Sequence, residues 1–305
     1  MNIIDVISPL IFVGLVGFIS TKTRWLDKTQ IDTLTKFAFN LCIPAFLFQK
    51  LVNTDLAHVD IKIYAAFYIP VLLIYCIAGL SNYFFHQNHQ KDTAASAIYA
   101  LAASYSNNVI VGIPVVIMVL GEHALAIVFL IVSLHSAMLF GICSVLTSKA
   151  ARFNWQSFIK QTFCNPLIIA ILSGFIFNLL AIKLPYIVDE SLSLIGRPAI
   201  SLALFILGAS LTFYRIKDEI KFICFASMLK LILLPLMVYL SAHYVFDFEK
   251  MTVTTLVILS ACPTGVNAYL IAKQQIQHQQ TVAGTVVAST IASMLTIPFW
   301  LWFLS

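Results

Sequence analysis

The sequence has few charged residues. Asp, Glu, Lys and Arg together make up 10% of its 305 residues, against about 25% in an average soluble protein. Hydrophobic residues make up 60%, and apolar runs of about 20 residues, the length that spans a bilayer as a helix, recur along the whole chain. The composition therefore excludes an ordinary soluble domain and predicts a polytopic membrane protein embedded in the lipid bilayer.

Acidic residues are missing from the centres of these apolar runs, because every Asp and Glu falls in a loop or near the end of a run. A cation antiporter of the buried-aspartate type, or an intramembrane aspartyl protease, needs a carboxylate near the middle of the membrane. The six cysteines show no CxxC spacing, and the sequence has no HExxH motif and no glycine-rich phosphate loop. We therefore predict no enzymatic activity, no metal site and no cofactor.

The apolar runs predict an all-α integral membrane protein with ten transmembrane helices. The predicted spans cover residues 4–21, 31–50, 62–85, 94–119, 123–147, 163–182, 189–213, 219–245, 251–273 and 280–304. The first run has neither a basic n-region nor a small-residue cleavage site, so we expect it to be retained as a span and not removed as a signal peptide.

Basic residues are distributed unevenly between the predicted loops. Loops after odd-numbered spans hold eleven of them, namely Lys22, Arg24, Lys28, Lys91, Lys149, Arg152, Lys160, Arg215, Lys217, Lys221 and Lys273. Loops after even-numbered spans hold four, namely Lys50, Lys62, Lys183 and Lys250. The positive-inside rule places the odd-numbered loops in the cytoplasm and both termini outside. The net charge of +5 is thus explained by topology, and no nucleic-acid partner is predicted.

Two stretches of twelve residues resemble one another. SPLIFVGLVGFI (Ser8–Ile19) in the first span and NPLIIAILSGFI (Asn165–Ile176) in the sixth are identical at seven of twelve positions. Chance similarity between apolar helices is the alternative, but the shared proline and the later Gly-Phe-Ile favour a true repeat. A repeat of five helices puts the second copy in the opposite orientation, as in many secondary transporters. The predicted domains are therefore inverted repeats at 1–150 and 151–305.

The fourth and ninth spans are counterparts in such a repeat, and both contain residues that interrupt a helix. SYSNNVIVGIP (Ser104–Pro114) and SACPTGVNAYL (Ser260–Leu270) carry proline and glycine, which break helices. The N-termini of half-helices suit an anion. The predicted helix-breaking residues are Gly112, Pro114, Pro263 and Gly265, and the predicted substrate-binding residues are Asn107, Asn108, Thr264 and Asn267. Ordinary kinks, with the amides joining helices, are the alternative.

Three further polar residues lie inside predicted spans. Asn40, four residues before Pro44, is predicted to support a kink or to line the substrate path. Lys230 lies near the centre of the eighth span, where a lysine costs roughly 2.5–3.5 kcal/mol. A carbonyl end of a broken helix, or Asn107, is expected to offset that cost. Three roles for Lys230 stay open: it is a fixed cation that replaces a coupling sodium ion, it binds the substrate directly, or it only holds the eighth helix against the crossing. His135, midway along the fifth span, either relays a proton or donates a hydrogen bond between helices.

Four motifs resemble those of the auxin efflux carrier family. They are FNLCIPAFLF in the second span, SNNVIVGIP in the fourth, KLILLPL in the eighth and ACPTGVNAYLIAKQ in the ninth. The resemblance covers essentially the whole chain, and bacterial members of the family are described as malonate and other organic-acid permeases. It implies ten helices in two inverted repeats, with broken helices 4 and 9 crossing around a carboxylate-bearing substrate. It also implies a dimerising scaffold of helices 1, 2, 6 and 7, against which helices 3–5 and 8–10 move like an elevator.

The predicted function is therefore secondary transport of a small organic anion, such as malonate or an auxin-like acid, across the inner membrane. The predicted partners are that anion, the lipid bilayer and a second copy of the chain bound through the scaffold helices. A sodium-coupled organic-anion symporter of the bile-acid type, which shares ten helices and crossing motifs, is the alternative.

Overall fold

The computed structural model describes residues 3–56, 59–85, 92–147, 165–213, 219–275 and 278–305. Within these ranges the chain is helical and contains no β-strand. The α-helices are α1 (Ile3–Lys22), α2 (Lys28–Phe37), α3 (Ile43–Val52), α4 (Ile63–Phe85), α5 (Thr93–Ser104), α6 (Ile113–Leu120), α7 (Leu125–Thr147), α8 (Pro166–Leu179), α9 (Tyr186–Gly196), α10 (Ala199–Ser210), α11 (Ile220–Met228), α12 (Leu234–Leu240), α13 (Lys250–Ala261), α14 (Val266–Gln275) and α15 (Gln279–Leu304).

Six helical stretches are long and apolar enough to cross a membrane by length and composition. They are Lys28–Val52, Ile63–Phe85, Glu122–Thr147, Tyr186–Phe213, Ile220–Val245 and Gln279–Leu304. Shorter apolar helices accompany them, including Ile7–Lys22, Pro166–Leu179 and Lys250–Ala261. The basic residues Lys91, Lys149, Arg152, Lys160, Arg215 and Lys217, which contribute to the predicted topology, lie outside the described residues.

In two of the predicted spans, residues with extended backbone separate two helices. In the fourth, α5 ends at Ser104 and the next helical turn begins at Asn108; in the ninth, α13 ends at Ala261 and α14 begins at Val266. Cys262 has extended backbone with φ −58° and ψ 147°. It precedes Pro263, whose ring keeps the preceding residue out of the helical region. The end of α13 therefore follows directly from the sequence.

Three short π-helical turns each end two residues before a proline. They are Ala38–Cys42 before Pro44, Asn108–Gly112 before Pro114 and Leu229–Leu233 before Pro235. In each turn a backbone amide reaches the carbonyl five residues earlier. Proline cannot donate a backbone hydrogen bond, and its ring clashes with the preceding turn. The wider π-helical turn accommodates the proline, so the chain continues as a helix beyond it.

The described chain forms two compact units. The first unit takes the residues within 1–59, 113–133 and 155–213, and the second takes those within 60–112, 134–154 and 214–305. The first unit thus contains α1, α2, α3, α6, α8, α9 and α10, while the second contains α4, α5 and α11 to α15. Helix α7 is divided between them, with residues up to Ser133 in the first unit and those from Leu134 in the second.

In the first unit, α1 lies along α10 and α8 lies along α3. A Cβ atom at Gly17 of α1 would overlap the backbone carbonyl of Phe205 in α10. At Gly174 of α8, an added Cβ would lie 3.1 Å from side-chain atoms of Leu51 in α3. Gly17 and Gly174 occupy the same position in the two similar twelve-residue stretches, and at each of them another helix comes close.

Candidate functional site

The two interrupted helices are joined by backbone hydrogen bonds inside the second unit. Ser106 and Thr264 face one another in an isolated antiparallel bridge. The amide of Asn107 donates to the carbonyl of Pro263 at 2.9 Å, and the amide of Gly265 donates to the carbonyl of Tyr105 at 3.0 Å. The extended residues between the half-helices therefore satisfy part of each other's backbone, which membrane-buried backbone requires.

Around the interruption after α5, donors and acceptors from other helices replace the missing helical bonds. In a continuous helix the Ser106 amide would donate to the carbonyl of Ala102. Instead, it donates to Nε2 of His135 in α7 at 2.9 Å. The Ala102 carbonyl accepts from the Thr264 hydroxyl at 2.8 Å. The Thr264 side chain therefore supplies the donor that the Ala102 carbonyl loses where α5 ends.

The backbone groups left without helical partners by the interruption after α13 also bond to side chains of other helices. The Thr264 amide, which a continuous helix would direct to the carbonyl of Ser260, donates to Oγ of Ser289 in α15 at 3.0 Å. The Ser260 carbonyl accepts from Nζ of Lys230 at 2.5 Å. Lys230 is 0% exposed. Its charge lies at the C-terminal end of α13, where the helix dipole favours a cation.

Neighbouring atoms come close to two glycines of the interrupted helices. A Cβ atom at Gly265 would overlap the ring of Tyr105. At Gly112 it would lie 2.9 Å from Cδ2 of Leu259 and 3.3 Å from Sγ of Cys262. These contacts give the two predicted helix-breaking glycines of the second unit a packing role in addition to their conformational freedom.

Several buried polar atoms beside the bridge have no hydrogen-bond partner among the described residues. They are Oγ of Ser106, Nδ2 of Asn107, both Nδ2 and Oδ1 of Asn108, and Nδ1 of His135. These residues are between 1% and 6% exposed. Leaving a buried polar group unsatisfied costs about 1–3 kcal/mol, and folded proteins rarely tolerate it. These five atoms on neighbouring residues can form hydrogen bonds to a polar ligand.

The unpartnered atoms are mostly hydrogen-bond donors. Each of the two amide Nδ2 groups has two N–H bonds, and neither carries a fixed charge. Asn267, in the first turn of α14, places a further Nδ2 group 3.4 Å from the hydroxyl of Tyr105. A ligand rich in acceptor oxygens, such as a carboxylate, matches this set of donors.

Two of the predicted residues belong to the other unit. Pro114 is buried at the second position of α6 and, like Asn40, belongs to the first unit. Asn40 is exposed in a π-helical turn. The site role of both stays a prediction.

Sequence analysis missed Tyr105, Ser106, Ser260 and Ser289 as parts of the arrangement. A signal for Ser289 was present in the sequence. In α15, buried hydroxyl residues recur every four positions, at Thr281, Thr285, Ser289 and Ser293, and this spacing puts them on one helix face.

Comparison with known proteins gives matches along the chain. A family model described as "Membrane transport protein" matches residues 2–155 and 147–301. An "Uncharacterized transporter" of Methanothermobacter thermautotrophicus is 24% identical over 297 residues, covering 97% of this chain and 96% of the relative. A "Putative malonate transporter" of Rhizobium meliloti is 24% identical over 302 residues, covering 94% and 91%. "Uncharacterized transporter YfdV" of Escherichia coli is 22% identical over 308 residues, covering 96% and 95%.

Proposed function

Since the chain belongs to the family of membrane transport proteins that includes the auxin efflux carriers, we propose that it is a secondary transporter of a small organic anion. The family and the long apolar helices make it a multi-pass membrane protein with a small-molecule substrate. The proposal extends this to the chemistry of the substrate and to the place where it binds.

The observation that carries the proposal is the cluster of unpartnered donors beside the bridge. Asn107 and Asn108 offer buried N–H groups without a partner among the described residues, and Asn267 in the first turn of α14 offers a further amide N–H group. These groups together favour a carboxylate. Asn107, Asn108, Thr264 and Asn267 are the proposed substrate-binding residues. The malonate named for the Rhizobium meliloti relative is consistent with a carboxylate substrate here.

Matched contacts in the two halves support the proposed inverted repeat. Ser106 and Thr264 each give a backbone amide to a side chain of the helix that follows in its own half, to His135 and to Ser289 respectively. The equivalent glycines of α1 and α8 face α10 and α3, which are also counterparts. Two inverted copies would produce such exchanged pairs of contacts.

Lys230 supports a carrier that needs no sodium ion at the end of α13. Half-helix C-termini with unpaired carbonyls are the groups that coordinate Na⁺ in many secondary transporters. Here the Lys230 ammonium already donates to the Ser260 carbonyl. We propose that Lys230 serves as a built-in cation at this point, which disfavours the sodium-coupled alternative.

We further propose that helices 3–5 and 8–10 carry the substrate across the membrane by an elevator motion. The predicted scaffold of helices 1, 2, 6 and 7, all of which lie in the first unit, would stay in place and form a homodimer. The proposed orientation in the inner membrane has both termini outside, in line with the distribution of basic residues.

Counterflow in proteoliposomes tests the proposed function. Vesicles are preloaded with single mono- and dicarboxylates, and entry of labelled malonate is followed with and without sodium and a pH gradient. We expect trans-stimulated uptake that does not need sodium and that falls about tenfold or more in Asn267→Ala. Asn82→Ala is the matched control, because Asn82 is a buried amide of the same unit that accepts from Ser96 away from the bridge. If no preloaded carboxylate stimulated uptake of labelled malonate, although the protein was folded, the proposal would be contradicted.

A further inference from the structure

His135 holds the segment that immediately precedes the proposed substrate-binding amides. Its Nε2 accepts from the Ser106 amide at 2.9 Å. Its ring stacks on that of Tyr105, with centroids 5.0 Å apart and planes inclined by 17°. The side chain is buried, with 2% of its surface exposed. One residue of α7 therefore contacts both residues directly before Asn107.

The hydrogen bond to Ser106 fixes the protonation state of the ring. A neutral imidazole carries one N–H, and an imidazolium carries two. Because Nε2 accepts a hydrogen bond, it carries no proton, so the ring is neutral with its proton on Nδ1. A second proton on Nε2 would point at the Ser106 N–H, and the bond would be lost. Protonation of His135 and this bond therefore exclude one another.

The described groups that interact with the ring bring no negative charge to an added proton. They are the aromatic rings of Phe67, Tyr68 and Tyr105, with centroids 5.9, 6.1 and 5.0 Å from that of His135, and the amine of Lys230. An imidazolium would find no counter-charge among them, so its formation would have to be accompanied by movement of the Ser106 segment.

We propose that His135 is a positioning residue that orders Asn107 and Asn108 only while its ring is neutral, so that a proton on His135 and substrate at the bridge oppose one another. The inference rests on the proposed binding of an anion by these two amides. The effect is reciprocal, because a proton on His135 that weakens substrate binding is itself bound more weakly when the substrate is present. Substrate affinity should accordingly fall as the pH is lowered.

The test uses three variants of the full chain. His135→Gln keeps an acceptor oxygen at a reach similar to Nε2 but does not titrate. His135→Leu fills the space without an acceptor. His123→Gln is the control, because His123 is exposed in the turn Glu122–Ala124 and belongs to the other unit.

The first readout needs no substrate. Amide hydrogen exchange of the peptide containing Ser106 is measured in lipid nanodiscs at pH 7.5 and pH 4.0, each variant being compared with wild type at the same pH. The lower value is chosen because the surroundings of the ring disfavour its protonation. We expect exchange at the Ser106 amide to be about tenfold faster in His135→Leu at both pH values. Wild type and His123→Gln should exchange faster than His135→Gln at pH 4.0 only.

The second readout is malonate counterflow at the same two pH values. Wild type and His123→Gln should lose a larger share of their uptake at pH 4.0 than His135→Gln, which reports the effect of pH on malonate itself. If His135→Gln shows the same pH dependence as wild type in both readouts, the inference is overturned, whether or not His135→Leu folds. If the exchange results hold but no carboxylate is carried at either pH, the positioning role stands and the proposed function fails.

Discussion

Replacing Thr264 with valine removes one hydroxyl group from the interrupted ninth span and keeps a β-branched side chain of similar shape. The hydroxyl donates to the carbonyl of Ala102 at 2.8 Å, and Thr264 is 0% exposed. The amide that a continuous helix would direct to this carbonyl belongs to Ser106, and it donates to His135 instead. Valine therefore removes the donor that this carbonyl has in the structure.

The expected cost is that of a buried carbonyl without a donor, about 1–3 kcal/mol in the free energy of unfolding. Thr255→Val is the matched control. Thr255 is also 0% exposed, but its hydroxyl donates to the carbonyl of Met251 one turn earlier in its own helix. That carbonyl also accepts the helical backbone amide, and such back-bonding contributes little. We expect a change below about 1 kcal/mol for Thr255→Val, and Thr264→Ser should stay close to wild type.

The assay is denaturant-induced unfolding of the purified protein in detergent, followed by tryptophan fluorescence. Trp300 lies in the second unit and its indole N–H donates to the carbonyl of Leu231 at 2.9 Å, so it reports on that unit. The reasoning would be refuted if Thr264→Val and Thr255→Val lost equal stability. It would also be refuted if Thr264→Ser were as unstable as Thr264→Val.

Three more outcomes are expected. Gly17→Ala should lower the free energy of unfolding by about 1–3 kcal/mol, because its Cβ would overlap the Phe205 carbonyl. Gly79→Ala should be tolerated, since the nearest atom to its Cβ would lie 3.5 Å away. Equal loss of stability in the two variants would contradict the packing argument. Lys230→Met should leave a folded protein, because removal of a buried ammonium offsets the loss of the donor to the Ser260 carbonyl, but it should abolish counterflow; normal transport would show that Lys230 has only a structural role. Alkaline phosphatase fused after Ser305 should be active in intact cells; an inactive fusion, with a cytoplasmic reporter active at the same site, would reverse the proposed topology.

The residue at which the helix ends in the ninth span can be predicted from the neighbouring sequence. The residue at which it ends in the fourth span cannot. Pro263 acts on Cys262 directly through its ring, so the helix must end there. In the fourth span, Pro114 lies nine residues beyond Tyr105 and leads instead to a π-helical turn. The helix ends at Ser104 because following backbone amides, such as that of Ser106, donate to residues distant in the sequence. Partners of this kind leave no local signal in the sequence.

The need for a partner at Lys230 can also be predicted, because a lysine in the middle of an apolar helix is costly. The choice of the Ser260 carbonyl over Asn107 depends on how the eighth and ninth spans pack, which no local pattern encodes. His135 shows the same limit. The sequence left proton relay and helix pairing as alternatives, and only the contact with Ser106 shows that its ring accepts a hydrogen bond.

Binding of labelled malonate to purified wild type, Asn108→Ala and Asn108→Asp tests the central claim most directly. Asn108 is 3% exposed and both of its amide atoms lack a partner, so the aspartate variant places a negative charge where the anion is proposed to bind. Like charges brought together cost several kcal/mol. The account predicts affinity in the order wild type, alanine, aspartate, with more than about a hundredfold between the first and the last. Tighter binding to the aspartate variant, or equal binding to all three, would contradict an anion site at the bridge.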